Sequence, residues 1–129
     1  MRVQCVATIP SSEQVEQLGE AYREGFTAYP VHEGLEYIAL GIGVWGGIVW
    51  VEVAMETEAV VSVPMFLFRI TDPSPSSLWE IRLHADGALT LWPREFYEDF
   101  FHDRLSEGRT AEVEVLRRVQ NQMDAEMSL

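Results

Sequence analysis

The chain has 129 residues, 47% of them hydrophobic, a size and composition that fit one domain. Such a chain buries roughly two-thirds of its extended-state surface and needs no disulfide or metal to fold. Nine basic residues against 21 acidic ones leave a net charge of −12, a field that repels phosphate backbones and anionic lipid and draws in basic partners.

Cys5 is the only cysteine, so no intrachain disulfide forms and a reducing compartment is favoured. Gln4, Ser11, Ser12, Glu13 and Gln14 come before any long apolar core, unlike a signal peptide. The longest apolar-rich run, residues 38–51, is too short and too rich in glycine to span a membrane, and Glu52 ends it. A cytoplasmic protein with no membrane partner is expected.

Residues 2–9 place Val3, Cys5, Ala7 and Ile9 on one side, as a short strand or an extended arm, and Pro10 stops them. Ser11 with Gln14 has the capping-box spacing. Val15, Leu18, Ala21 and Tyr22 then recur at helical intervals opposite Glu13, Glu16, Glu20 and Glu24. The spacing predicts a helix of about four turns, with Gly25 as its stop.

Residues 26–34 read as a linker around Pro30. Residues 35–45, 48–55 and 59–70 then read as three antiparallel strands. Gly46-Gly47 suits a two-residue primed turn, which needs positive φ at both central positions. Val, Ile, Trp and Phe fill the flanking runs, as a half-buried pleated surface prefers. Pro64 makes the third run an edge or splits it in two. Residues 71–77 form a polar loop.

Trp79, Ile81 and Leu83 alternate with Glu80, Arg82 and His84, the pattern of a half-exposed strand. Asp86-Gly87 returns it into residues 88–92 as a second hairpin. Pro93 opens a helix to Leu105 whose Phe96, Tyr97, Phe100, Phe101 and Leu105 make an aromatic face for the sheet. Gly108 ends it. Thr110 caps a last helix with Val113, Leu116, Val119 and Met123 as its apolar stripe.

The expected fold is therefore α+β in a single domain over 1–129. An N-terminal arm or strand and helix occupy 1–25. A strongly bent five-stranded antiparallel sheet or small barrel follows over 35–92, and two C-terminal helices over 93–126. The runs at 35–70, with Ser62-Val63-Pro64 before Met65-Phe66-Leu67-Phe68, and the hairpin at 78–92 resemble the Sm-like and SH3-like small β-barrels. That resemblance implies rings made by edge-strand pairing, and RNA binding. The acidity and the two extra helices depart from the pattern, and the charge disfavours nucleic acid.

For chemistry, Glu98, Asp99 and His102 share a face if 93–105 is one continuous helix. A metal site needs a third ligand and ordered supporting partners beyond such a pair. A solvated helix face, with Glu95 and Glu98 complementing the macrodipole, accounts for them without a metal and is the favoured reading. Cys5 on a strand reads as a small buried hydrophobe. The serines at 74, 76 and 77 have no histidine at a recognisable offset, and no phosphate loop or dinucleotide fingerprint occurs. No cofactor and no catalytic residue is assigned.

Trp45, Trp50, Trp79 and Trp92 lie on the two hairpins. Tryptophan supplies core mass and is also enriched at interface hot spots. Trp45, beside the Gly46-Gly47 turn, is expected nearest the surface. The leading expectation is a non-enzymatic binding or protein-interaction domain that forms a homo-oligomer through a sheet edge or an exposed aromatic patch. The alternatives are an acidic inhibitor of a basic protein, of the immunity or antitoxin type, and an Sm-like nucleic-acid-binding module.

Overall fold

Alternation at the start of the chain becomes β1 (Arg2–Cys5), with Val3 and Cys5 turned inward. In the computed structural model, which describes residues 1–19, 22 and 28–127, β1 is the centre of a three-stranded antiparallel sheet. Its neighbours are β2 (Glu36–Ile38) and β6 (Phe68–Asp72). The helix α1 (Ser12–Leu18) starts with the capping box read from the sequence. Ser11 Oγ accepts from the Gln14 N–H at 3.2 Å, and Gln14 Oε1 accepts from the Ser11 N–H at 2.8 Å. The described helix is seven residues long. Gly19 follows it with φ 53° and Tyr22 lies in a bend, while the other residues of the expected continuation, Glu20, Ala21, Arg23, Glu24 and Gly25, lie outside the described residues.

The run at 35–45 is not one strand. The Ala39 N–H donates to Met1 O (3.0 Å), in the three-stranded sheet, whereas the Leu40 N–H donates to Glu52 O (2.9 Å). Two consecutive buried amides thus serve two different sheets, and the chain turns the corner between them. β3 (Gly41–Trp45) then pairs with β4 (Ile48–Ala54). The run at 59–70 divides in the same way. β5 (Val60–Pro64) ends at the proline, a 3₁₀ turn over Met65–Leu67 follows, and β6 returns to the first sheet.

A single bent five-stranded sheet or closed barrel is therefore not the fold. The described residues form eight antiparallel strands in two sheets, β2-β1-β6 and β5-β4-β3-β8-β7, with three helices. The sheets share a core of Val3, Cys5, Phe68, Val51, Val53 and Val63. Apolar continuity misled the reading of 35–45 and 59–70, because the corners at Ala39–Leu40 and Met65–Leu67 are as apolar as the strands they join.

Both hairpin turns form. Gly46 and Gly47 have φ of 60° and 75°. β7 (Trp79–Leu83) and β8 (Leu89–Pro93) are joined by a loop in which Gly87 has φ 88° and its N–H donates to His84 O. The expected helix over 93–105 is broken. A 3₁₀ turn covers Arg94–Tyr97, Phe100 adopts a left-handed φ of 64°, and α2 spans only Phe101–Ser106. Phe96 and Phe101 stack in the core, while Phe100 is expelled to the surface. α3 (Thr110–Met127) brings Leu116, Val119 and Met123 onto them. Its last turn holds the 73–78 loop, since Glu126 accepts from Ser76 Oγ, Ser77 Oγ and the Ser77 N–H.

The β4–β5 turn is tied to α3 by charge. Glu58, at φ 64°, receives both Arg117 Nε (2.6 Å) and an Arg117 terminal nitrogen (2.7 Å). That paired hydrogen bond, with the cation's field, holds the Glu58 carboxyl below its ordinary pKa. A carboxyl lowered in the folded state stabilises fully above its unfolded pKa and loses that contribution as pH falls through the folded one. Thermal unfolding followed across the acid range should show this loss, kept small by solvent screening. The variant R117A should lack that component, and an unchanged acid profile in R117A would refute the assignment.

Candidate interaction surface

Gly41 and Gly43 point to the face of the five-stranded sheet away from the shared core, and each makes room for a tryptophan. A Cβ on Gly43 would sit 2.1 Å from the Trp45 ring, which lies across this bare stretch of backbone and stacks on Trp50 (5.2 Å, 7°). A Cβ on Gly41 would sit 2.6 Å from Trp92. Trp79 donates its Nε1–H to Leu40 O at 2.9 Å, at the corner between the sheets. Of the four tryptophans singled out as a contact surface, Trp50, Trp79 and Trp92 are packed into the interior in whole or in part, and Trp45 is 39% exposed.

Glu52, only 6% exposed, occupies the centre of β4. Its Oε1 lies 3.0 Å from His102 Nε2, close enough for ion pairing but not aligned as a hydrogen bond. Glu52 Oε2 and Trp92 Nε1 are buried without hydrogen-bond partners, both beside Gly41. The His102 ring is boxed by Trp92, Phe96 and Phe101, with centroids 5.0, 5.5 and 5.7 Å away. This contact fastens α2 to the sheet. Nothing in the sequence marked it, because Glu52 reads there as the end of an apolar run.

The residues considered for metal binding do not converge. The left-handed turn at Phe100 removes the shared helix face of Glu98, Asp99 and His102. Glu98 pairs with Arg104 (3.3 Å), the Asp99 carbonyl accepts from Arg104 (2.9 Å), and His102 faces Glu52. Among the described residues no three His, Cys, Asp or Glu side chains form a metal-holding group. Burial pushes the Cys5 thiol above its ordinary pKa, as suits a core side chain.

A different feature reaches the surface. Register places Leu83 opposite Leu89, Leu89 opposite Val44, and Val44 opposite Val49, an apolar row across four strands. A second row runs from Ile81 through Leu91 to Ile42 and Val51. The second row is buried at its β4 end under the three-stranded sheet. Toward β7 the cover runs out: Ile81 is 67% exposed and Leu83 76%. β7 is also a sheet edge with β8 as its main neighbour, whereas β5, at the other edge, packs against α2.

Every basic residue of the chain is an arginine. Arg2, Arg94, Arg104, Arg109, Arg117 and Arg118 stand in ion pairs with carboxylates of the same chain. Arg69 donates to Gln4, and Arg82 lies over the Tyr97 ring. The surface field is thus dominated by the remaining acids.

Comparison with protein-family models, with curated proteins and with solved structures found no match. The functional reading therefore stands on the geometry. For the Glu52–His102 contact, H102A strands a buried carboxylate and should cost about 2–3 kcal/mol, below the full-burial figure because His102 is partly exposed. In a double-mutant cycle with E52Q, urea unfolding should give a coupling of about 1 kcal/mol or more. Additive losses would mean the two groups act independently.

Proposed function

We propose that this chain is a non-enzymatic protein-interaction domain that associates with itself through its five-stranded sheet. The observation that carries this reading is the apolar row from Val49 to Leu83, which ends at an open edge strand with Ile81 and Leu83 largely exposed. Sheet edges left open invite pairing with another chain, and monomeric proteins blunt them with lysine, proline or bulges. β7 has no lysine, proline or bulge, and its two charges, Glu80 and Arg82, are of opposite sign. The polar groups that do converge, Glu52 and Trp92 of the sheet and His102 of α2, meet where α2 packs on the sheet.

Light scattering coupled to size-exclusion chromatography, run at several salt concentrations, tests the reading. A mass above that of one chain that persists at high salt is expected, because burial of apolar surface is not screened. A single-chain mass at high protein concentration would overturn it.

A second reading, capture of a basic protein, is favoured by the net charge of −12 and by the pairing of six described arginines with carboxylates of the same chain. Titration with a basic nuclease should then show binding whose rate falls steeply with added salt. Salt-insensitive binding, or none, would remove it.

A further inference from the structure

The exposed edge of β7 is complementary to itself. The His84 N–H donates to Ala88 O (2.8 Å), which makes His84 and Ala88 a hydrogen-bonded pair of the β7–β8 hairpin. Pairs alternate along an antiparallel ladder, so Arg82–Thr90 and Glu80–Trp92 are bonded inward as well. Trp79, Ile81 and Leu83 stand at the other positions, and Pro93 opposite Trp79 has no N–H to offer. The backbone groups of these three residues therefore face outward. The Trp79 N–H already turns to Ser76 O (3.3 Å), which leaves the N–H of Ile81 and Leu83 and the carbonyls of the edge.

We infer that two copies of this chain pair antiparallel along β7, about a two-fold axis through Ile81, and join their five-stranded sheets into one. The inference rests on the self-association reading and names its partner, strand and register. In this register the Ile81 N–H of each copy meets the Ile81 carbonyl of the other, and each Leu83 N–H meets the opposite Trp79 carbonyl. That gives about four new hydrogen bonds. On the apolar face Ile81 lies against its own copy and Leu83 against Trp79, covering the most exposed end of the row. On the other face Glu80 of each copy stands opposite Arg82 of the second, at a non-hydrogen-bonded pair where side chains approach most closely.

Charge selects this register. With the outward groups at Trp79, Ile81 and Leu83, the neighbouring two-fold registers centre on Glu80 or on Arg82. The first sets Glu80 against itself and the second sets Arg82 against itself, and like charges directly opposed are destabilising. The Arg82 guanidinium lies 3.9 Å over the Tyr97 ring, and the Glu80 carboxylate pairs with the exposed Arg94 at 3.3 Å. A two-fold interface of this kind uses the same patch on both copies and closes at two.

The test is charge exchange, read as dissociation constant by analytical ultracentrifugation at low salt. E80R and R82E each set like charges opposite one another, and each should weaken the dimer by roughly tenfold to a hundredfold. The double variant E80R/R82E restores opposite charges and should recover the dimer. An equimolar mixture of the two single variants should form the mixed dimer, since every cross-strand pair in it is again complementary. I81P removes an outward N–H without touching the β8 ladder and should abolish pairing, with circular dichroism showing that it stays folded. If the native chain is dimeric and neither the charge variants nor I81P alters it, self-association stands and the β7 register falls. If the native chain is monomeric, both fall.

Discussion

Two adjacent amides, those of Ala39 and Leu40, organise the molecule. Both residues are fully buried, so each N–H must find a partner inside the protein, and the two partners lie in different sheets. The chain can satisfy both only by bending sharply at this point. A second crossing at Pro64 follows from the same requirement, because proline offers no donor with which to extend the ladder. The two corners bring β1 and β6 over one face of the larger sheet, which leaves the β7 side of that face without a lid. The open edge is thus a consequence of the size of the smaller sheet, three strands set against five.

The opposite face follows a different logic. Gly41 and Gly43 remove side chains from two alternate positions of β3, and flat indole rings replace them: Trp45 over Gly43 and Trp92 over Gly41. The strand loses side-chain packing of its own, which weakens a glycine-bearing strand, and regains it from rings lying across the backbone. Glu52 sits among these rings with one oxygen near His102 and the other without a partner. Burying a carboxylate is costly unless its neighbours compensate, and that cost ties the position of α2 to that of β4.

Features encoded within a few residues were legible in the sequence. The capping box at Ser11 and Gln14, the paired positive φ at Gly46 and Gly47, the Asp86-Gly87 return and the division at Pro64 all depend on local backbone chemistry. What depends on distant partners was not. Residues 35–45 read as one strand because Ala39 and Leu40 are as apolar as their neighbours. Residues 93–105 read as one helix because nothing local announces a phenylalanine in the left-handed region. That break undid the shared face of Glu98, Asp99 and His102 and sent His102 toward Glu52. The placement of Trp45 and Trp92 depends on bare glycine backbone two residues away or on the next strand. The exposure of Ile81 and Leu83 is set by where another sheet ends, which alternation alone does not encode.

The corner at Ala39–Leu40 also bears on the order in which the protein folds. β3–β4 and β7–β8 are hairpins whose partners lie a few residues apart, so they close early and locally. Pairing of Cys5 with Phe68, or of Gly43 with Thr90, joins residues dozens of positions apart and must first overcome the entropy of closing long loops. Topologies dominated by such distant pairings fold slowly for their size. Until β8 reaches β3, the two hairpins together hold four edges instead of the two of the finished sheet. The interval before that docking is when this chain is most exposed to misassembly.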